Sequence, residues 1–167
     1  MMKLIVCVDK NNAIGKDGEL GFRLPSDLRN FKKLTTGNII VYGSKTLQSM
    51  GGKPLPKRKN IVHTFDINKI AGFIRQGIDV ETPLSLINKY YLEKDIYICG
   101  GGQIYKEYLK NWSNFITGIT ITVVDAEIKD ADTFFPYDLV KWERFTQVSK
   151  EDYVENGISY SIYDYEI

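Results

Sequence analysis

Ile96-Tyr97-Ile98-Cys99-Gly100-Gly101-Gly102-Gln103-Ile104-Tyr105 is the stretch that decides the fold of this 167-residue chain. An apolar run typical of a buried strand ends in three consecutive glycines, and a helical pattern begins directly after them. Glycine lets a backbone approach a phosphate closely, and the N-terminus of a helix offers unpaired N–H groups to an anion. A tight turn with positive φ needs only one glycine, so three in a row favour a ligand contact. The spacing differs from G-x-G-x-x-G, so the Rossmann fingerprint is missing.

Strand and helix patterns alternate around this junction through the first two thirds of the chain. Runs rich in β-branched and aromatic residues predict strands at Leu4–Val8, Ile39–Tyr42, Asn60–His63, Asp95–Cys99, Phe115–Val124, Trp142–Val148 and Ile158–Tyr165. Helical periodicity predicts helices at Pro25–Thr35, Ser44–Met50, Pro83–Leu92 and Gln103–Lys110. The alternation predicts an α/β fold, with a mainly parallel central sheet flanked by helices on both faces. The turn Asn156-Gly157 between the last two strands indicates a C-terminal antiparallel hairpin.

The composition indicates one domain, over residues 1–167, without strong attraction to a charged polymer. The chain is 43% hydrophobic and 26% charged with a formal net charge of +1, so neither nucleic acid nor a membrane is expected as a partner. The apolar run Leu4–Val8 is too short for a secretory signal core. Cys7, Cys99 and His63 are too few for a His/Cys zinc site, so no metal is expected. Both cysteines are expected to be reduced thiols of a cytoplasmic protein.

A second strand-to-helix junction, Gly43-Ser44-Lys45-Thr46, also has groups that can hold a phosphate. It is not a P-loop, because Ser44 separates the glycine from the lysine, so a nucleotide kinase loses its main support. Junctions that follow parallel strands lie at the same, carboxyl edge of a sheet, where ligands of open α/β sheets bind. A dinucleotide would therefore explain both junctions at once.

Asp27 lies in a helix that Pro25 opens, on the same face as Phe31 and Leu34. One interpretation is a first-turn acid that faces water and is favoured by the helix dipole. The other is a carboxylate that faces the apolar side and is paired only when a cationic or multi-donor ligand binds. No nucleophile–base pair or acidic metal cluster accompanies it. A lone carboxylate beside a nucleotide site is compatible with a redox step in which the cofactor carries out the chemistry.

The segment Asp9–Arg23 has no periodicity and contains Gly15, Gly18 and Gly21. A loop of this length beside a central strand is usually a lid or a binding loop. We therefore expect it to border the ligand.

Taken together, these motifs identify a resemblance to the dihydrofolate reductase family over nearly the whole chain. The motifs that carry it, in order, are Ala13-Ile14-Gly15, Leu24-Pro25-Ser26-Asp27-Leu28, Gly43-Ser44-Lys45-Thr46, Pro54-Leu55-Pro56-Lys57-Arg58-Lys59-Asn60, Gly100-Gly101-Gly102-Gln103-Ile104-Tyr105, Thr122, Asp125-Ala126-Glu127 and Asp132-Thr133-Phe134-Phe135-Pro136. The resemblance implies reduction of 7,8-dihydrofolate by NADPH, in a protein expected to be a monomer.

The resemblance also implies a substrate site. Asp27 would pair with the 2-amino group and adjacent ring nitrogen of the pterin, Thr122 would support that carboxylate, and water would supply the proton. Arg58 would hold the glutamate α-carboxylate, with Lys32 assisting. The remaining substrate contacts would be the apolar walls of the pterin and benzoyl pockets, namely Ile5, Leu28, Phe31 and Met50.

The cofactor site that the resemblance implies uses both junctions. The nicotinamide side would be lined by Cys7, Ala13, Ile14, Gly15 and Leu20. The phosphates would be held by Gly43, Lys45, Thr46 and the turn of Cys99, Gly100, Gly101, Gly102, Gln103, Ile104 and Tyr105, and Thr64 would lie near the adenosine. The family also has a cis peptide between the first two glycines of this turn.

Several positions depart from the family pattern. Gly21-Phe22 replaces a common Pro-Trp pair, and Ser44 replaces a common arginine. Phe65 and Gln103 stand where relatives often have polar or basic groups. Lys45 is then the main basic residue for the cofactor phosphates. A one-residue insertion lies near Gly51-Gly52-Lys53.

Two other functions compete with this one. A riboflavin-pathway pyrimidine reductase would share the fold and the cofactor but would not need Asp27 or Arg58. A non-catalytic nucleotide-binding module would keep the glycine turn and lose the chemistry, and the presence of both Asp27 and Arg58 argues against it.

Overall fold

The fold is described from a computed structural model for residues 1–72 and 76–167. The described helices are α1 (Pro25–Thr35), α2 (Ser44–Ser49), α3 (Pro83–Tyr90) and α4 (Gly102–Asn111). The described strands are β1 (Met2–Val8), β2 (Ala13–Lys16), β3 (Glu19–Leu20), β4 (Ile39–Gly43), β5 (Lys59–His63), β6 (Ile78–Val80), β7 (Ile96–Ile98), β8 (Ile116–Val124), β9 (Thr133–Phe134), β10 (Thr146–Glu155) and β11 (Ile158–Glu166). Within these residues no helix is long and apolar enough to cross a membrane.

The main sheet has eight described strands in the order β10-β11-β8-β1-β7-β4-β5-β6. The strands from β8 to β6 in this order run parallel, and β11 and β10 close one edge as an antiparallel hairpin. Parallel strands need long crossovers, which the helices supply, and their short apolar sequences reflect burial on both faces. The mainly parallel α/β fold with a C-terminal hairpin is therefore confirmed.

Strand β1 shows how the sheet divides the core into two layers. Leu4 and Val6 point into one buried cluster, whereas Ile5 points into the other, which also contains Tyr42 and Tyr97. Successive residues of a strand face opposite sides of its sheet, so one short apolar run anchors both layers. Because β1 lies between β7 and β8, its carboxyl end is at the centre of the ligand-binding edge.

The hairpin prediction is correct in kind but wrong in its first strand. Residues 142–144 form a turn of 3₁₀ helix, and the strand begins at Thr146 and extends to Glu155. Trp142 packs against Tyr137 and Tyr165, so the aromatic residues that suggested a strand belong to a side-chain cluster. The true edge strand was missed because most of its residues are exposed and polar, which gives no apolar alternation.

The segment Asp9–Arg23 is more ordered than its sequence suggested. It contains β2 and β3, which form a small three-stranded sheet with β9. These strands have two to four residues, which is too short to show a period in the sequence. The three-residue β6 was missed for the same reason.

Candidate active site

The two junctions that were predicted to bind phosphate are adjacent. The Gly43 N–H, at the end of β4, donates to the Gly100 carbonyl oxygen beyond β7 over 2.8 Å. The Thr46 hydroxyl oxygen lies 3.6 Å from the position that a Cβ on Gly101 would occupy. One phosphate-bearing ligand in this crevice would therefore contact both junctions.

The backbone at Gly100 requires glycine. Its φ is +99°, and an added Cβ would lie 2.8 Å from the ring of Tyr105. The Gly100–Gly101 peptide is cis, as the resemblance implied. Tyr105 is itself fixed, because its hydroxyl donates to the Ile5 carbonyl oxygen over 2.6 Å. The glycine turn and β1 are thus held together through one buried side chain.

The helices after these junctions start without side-chain caps. Gly43 precedes α2 and Gly101 precedes α4, and neither N-cap accepts or offers a side-chain hydrogen bond. The first N–H groups of α4, on Gly102 and Gln103, therefore favour an anion. Lys45 is exposed in the first turn of α2 and adds a positive charge. The backbone N–H groups, the hydroxyl and the ammonium fit the phosphates of a dinucleotide.

The floor of this crevice is apolar. Ile104 is buried, and its side chain would lie 3.1 Å from a Cβ on Gly43. Cys99 is partly buried in the cluster that contains Ile5, and burial raises the pKa of its thiol to about 12. Cys99 is therefore a neutral packing group here.

Asp27 lies near the neighbouring β1–β8 pair of the same sheet edge. The Thr122 hydroxyl, on β8, donates to Asp27 Oδ1 over 2.5 Å, and Thr122 is paired in register with Cys7 of β1. Burial raises the pKa of the Asp27 carboxyl, the Thr122 hydrogen bond opposes this shift, and the charge of Glu155 adds to it. A partly buried carboxylate with a raised pKa fits the ligand-pairing interpretation better than the solvent-facing one.

An apolar wall stands beside Asp27. Ile5 is buried, and Phe31 and Met50 pack against the same cluster. Leu28 is 46% exposed and lies at the rim. Lys32 is also exposed, one turn along α1 from Leu28. The structure therefore supplies an apolar surface next to a carboxylate, with the half-exposed Leu28 side chain at its edge.

Arg58 is oriented by short-range contacts. Its Nε donates to the Pro56 carbonyl oxygen over 3.0 Å, and its Nη1 donates to the Thr35 hydroxyl oxygen over 3.1 Å. Its guanidinium carbon lies 5.9 Å from the centre of the Phe31 ring. The remaining guanidinium N–H groups form a fork beyond the apolar wall, which suits a carboxylate.

The loop that carries Arg58 is fastened by Asn60, which is 3% exposed. Its side-chain oxygen accepts from the Tyr42 hydroxyl and the Leu55 N–H, and its amide nitrogen donates to the Leu55 and Arg58 carbonyl oxygens. A buried amide with every group paired fixes a loop at low energetic cost. Sequence reasoning used Asn60 only as part of a motif and missed this role.

The predicted nicotinamide side is formed by β1 and the Asp9–Arg23 segment. Ala13 and Ile14 are buried, whereas Leu20 is 57% exposed. Cys7 packs near Leu24, and burial followed by the negative charge of Asp27 raises the pKa of its thiol. Cys7 is therefore a neutral side chain between the two predicted halves of the site.

Two aspartates fasten this segment, and sequence reasoning missed both. Buried Asp9 accepts from the backbone N–H groups of Asn11, Ala13 and Ile128 over 2.7–2.9 Å. Asp132 accepts from the Asp17 N–H over 2.9 Å, and its own N–H donates to the Gly15 carbonyl oxygen over 3.2 Å. Only the motif around Asp132 pointed to this region, because backbone partners leave no mark in a sequence.

Gly21 also has a packing explanation. A Cβ there would lie 2.2 Å from the end of the Ile128 side chain, so a larger residue at this position would require that side chain to move. Phe22 then turns into the cluster around Leu24 and Val124. Gly21 and Phe22 thus lie where this segment packs against the connection between β8 and β9 and against the core.

The predicted adenosine end is weakly polar. The Thr64 hydroxyl donates to the Asp66 carbonyl oxygen and accepts from the Asp66 N–H, so it caps its own turn. Phe65 is 86% exposed beside it. Lys45 remains the basic side chain that this region offers among the residues proposed for the phosphates.

A mainly parallel sheet that brings two glycine-containing junctions and a paired carboxylate to one edge defines a nucleotide-dependent reductase of the α/β class. A family model described as Dihydrofolate reductase matches residues 1–167. The chain belongs to the dihydrofolate reductase family.

Individual relatives agree with this assignment. A dihydrofolate reductase of Staphylococcus aureus is 36% identical over 143 residues, which are 85% of this chain and 82% of the relative. A dihydrofolate reductase of Haemophilus influenzae is 35% identical over 142 residues, 85% of this chain and 81% of the relative. A solved structure of Enterococcus faecalis dihydrofolate reductase, complexed with NADP(H) and RAB-propyl, has a TM-score of 0.84 and 28% identity, and covers 99% of this chain and 95% of its own.

Proposed function

We propose that this protein reduces 7,8-dihydrofolate to 5,6,7,8-tetrahydrofolate by hydride transfer from NADPH. The observation that carries the proposal is the partly buried Asp27 carboxylate, which Thr122 supports at the sheet edge that also holds the glycine turn. Strand β1 separates β8 from β7, so the carboxylate and the turn are separated by the width of about two strands, ~10 Å. That span lets one crevice hold a pterin beside a nicotinamide.

Asp27 binds the pterin through two acceptors. Its carboxylate accepts hydrogen bonds from the 2-amino group and from the adjacent ring nitrogen, and this pairing offsets the free-energy cost of burying the charge. Thr122 donates to Oδ1 from the other side and fixes the plane of the carboxylate. The ring then lies against Ile5 and Phe31, and Met50 extends the same wall toward the benzoyl group. Water supplies the proton, and Asp27 orients the ring that receives it.

Arg58 binds the other end of the substrate. Its contacts with Pro56 and Thr35 orient the guanidinium before the substrate arrives, so little conformational entropy is lost on binding. A planar fork pairs with both oxygens of the glutamate α-carboxylate. Lys32, exposed on α1, adds positive charge on the same side. The two anchors fix the long axis of the substrate.

The cofactor would be held by Lys45, Thr46 and the turn of residues 100–105. When bound, NADPH supplies the hydride. The chain contributes the uncapped N–H groups of Gly102 and Gln103 to the phosphates, and buried Ala13 and Ile14 line the nicotinamide side and keep water away from it. Leu20 is exposed in this structure, and in this proposal closure of the segment brings it over the ring.

The test is dihydrofolate-dependent loss of NADPH absorbance by the purified protein. Asp27→Asn should abolish most of the activity, and Asp138→Asn, an exposed acid in another part of the chain, should not change it. Turnover of a ribosylated pyrimidine in place of dihydrofolate would identify a pyrimidine reductase. Binding of NADPH without turnover of either compound would identify a non-catalytic module.

We further propose that the protein acts as a cytoplasmic monomer. Cys7 and Cys99 are free thiols, which suits a reducing compartment, and a monomer is the state that the family resemblance implies. Light scattering after size exclusion should give one mass near 19.1 kDa, and a mass of twice that value would contradict the monomer.

A further inference from the structure

Helix α1, which carries Asp27, has no N-cap side chain from its own segment. Its N-cap residue is Leu24, and Pro25 follows at the first position without an N–H group. The missing acceptor comes from Glu155, at the end of β10. The Glu155 carboxylate accepts from the Ser26 N–H over 2.9 Å and from the Ser26 hydroxyl over 2.6 Å. A side chain 129 positions away in the sequence therefore caps this helix.

The same carboxylate has two more partners. The Tyr160 hydroxyl donates to Glu155 Oε1, and Arg29 Nη2 lies 3.6 Å from Oε2. Arg29 Nη2 also donates to the Ser26 hydroxyl oxygen over 2.6 Å, so the cluster closes on itself. The hydrogen bonds from Ser26, followed by that from Tyr160, lower the pKa of the Glu155 carboxyl. Glu155 is therefore a charged group at neutral pH.

We infer that Glu155 is a positioning residue for Asp27, because its carboxylate fixes the first turn of α1 and places a second negative charge beside the pterin-binding acid. Ser26 is directly next to Asp27 in the chain, so the two hydrogen bonds to Ser26 also fix the start of the Asp27 side chain. The role in turnover rests on the proposed function. The positioning itself is a property of the protein without ligand.

The charge of Glu155 affects the pKa of the Asp27 carboxyl. Burial is the largest cause of the raised pKa, the Thr122 hydrogen bond opposes it, and the charge of Glu155 adds a smaller increase. Titratable and charged groups near Asp27 come from β1, α4, β11, β10 and its own helix, and they are Cys7, Tyr105, Tyr160, Glu155 and Arg29. Burial raises the pKa values of the Cys7, Tyr105 and Tyr160 groups, which are neutral at physiological pH. Among the residues that the structure describes, the charged groups found near Asp27 are thus Glu155 and the arginine paired with it.

The substitution Glu155→Gln separates the capping of helix α1 from the effect of the negative charge on Asp27. The amide oxygen still accepts from the Ser26 N–H, but the negative charge is gone. We expect the Asp27 carboxyl to titrate at lower pH, because one cause of its raised pKa has been removed. The acid limb of the pH profile of kcat/KM for dihydrofolate should also move to lower pH, because it is the ionised Asp27 that binds the pterin. Glu155→Ala should in addition raise the KM for dihydrofolate roughly tenfold through the lost cap, and leave the KM for NADPH within about twofold.

The decisive measurement is a ¹³C NMR titration of the Asp27 carboxyl in the ligand-free protein, with Glu151→Gln as the matched control. Glu151 is an exposed acid on the same strand, and its hydrogen bond is with Tyr153 and not with Ser26, Arg29 or Tyr160. A shift of the Asp27 midpoint to lower pH in Glu155→Gln and not in the control supports the inference. An unchanged midpoint, or an equal shift in both variants, overturns it. Because the titration needs no turnover, failure to reduce dihydrofolate would overturn the proposed function and leave this result standing, and Glu155→Gln carries the test even where Glu155→Ala fails to fold.

Discussion

Asp27→Asn removes one charge from the site and keeps the shape of the side chain. Asp27 Oδ1 already accepts from the Thr122 hydroxyl over 2.5 Å. The carboxylate can serve Thr122 and two pterin donors together, because each oxygen has more than one lone pair. The amide has only one acceptor atom. Whichever way the amide is turned, either Thr122 or one pterin donor then faces an N–H group.

The size of the effect follows from this loss of acceptors. A hydrogen bond to a charged group contributes about 1.5–3 kcal/mol and a neutral one about 0.5–1.5 kcal/mol. Exchanging two charged bonds to the pterin for one neutral bond therefore costs about 2.5–4.5 kcal/mol. At about 1.4 kcal/mol per factor of ten, kcat/KM for dihydrofolate should fall roughly 10²- to 10³-fold at neutral pH.

Stability should change in the opposite direction. Burial raises the pKa of the Asp27 carboxyl in the folded protein. Ionisation of this carboxyl therefore destabilises the ligand-free protein at pH values above the pKa of the same group in the unfolded chain. The Asn variant has no such cost, and its melting temperature at neutral pH should equal or exceed that of the parent. The difference should start to shrink as the pH falls below the raised folded-state pKa, and should vanish below the unfolded-state pKa, where the carboxyl is protonated in both states.

The assay pairs single-turnover hydride transfer with thermal unfolding across a pH series, for the parent, Asp27→Asn and Asp138→Asn. A kcat/KM within about tenfold of the parent at neutral pH would remove Asp27 from pterin binding. A large loss of melting temperature in Asp27→Asn would show instead that the acid supports the fold.

Three further outcomes are expected. Arg58→Lys should weaken dihydrofolate binding by about 1.5–3 kcal/mol, seen as a higher KM, because a bidentate fork becomes a point charge. The KM for a pterin without the glutamate tail should not change. Equal increases for both substrates would mean that Arg58 does not hold the carboxylate. Backbone amides of residues 9–23 should exchange hydrogen faster without NADPH than with it, and faster still in Asp132→Ala, which removes the acceptor of the Asp17 N–H; equal protection in all states would refute a closing segment. NADPH should be preferred over NADH by a ratio of kcat/KM that Lys45→Gln lowers, together with its salt dependence, and Ser44→Arg raises; an unchanged ratio in Lys45→Gln would assign the 2′-phosphate to other residues.

The fold was predicted well where apolar runs of the sequence end in clear turn or helix-start signals. The apolar runs of β1, β4 and β7 are short and continuous, and β4 and β7 are followed by a helix start or by glycine, so their parallel pairing followed from simple rules. The β10 strand was misplaced because an exposed edge strand has no buried face to impose an apolar alternation. The strands β2, β3 and β9 were missed because they have only two to four residues, and the pairing of β2 with β9 joins residues more than 100 positions apart.

The site could be predicted only where a side chain acts directly on a ligand. Asp27, Arg58 and the glycine turn are residues whose chemistry is evident from type and position, and their roles stay predictions until the variants are measured. Asn60, Asp9 and Asp132 act by binding backbone groups of loops, and any polar residue in a loop could do so. Glu155 precedes an Asn-Gly turn and looks like an ordinary hairpin acid, and only the three-dimensional structure places it beside Ser26.

The position of β1 in the middle of the sheet also affects the order in which the protein can fold. Its hydrogen-bonded neighbours are β7 and β8, which begin at Ile96 and Ile116. During synthesis, at about 5–20 residues per second, the first strand therefore leaves the ribosome on the order of 5–20 seconds before either neighbour exists. Met2, Leu4 and Val8, which are 0% exposed in the folded protein, face solvent or a chaperone during that time. The strand that anchors both layers of the core is thus the apolar segment that a holdase can bind longest on the nascent chain, and its capture competes with folding until residues 96–124 have emerged.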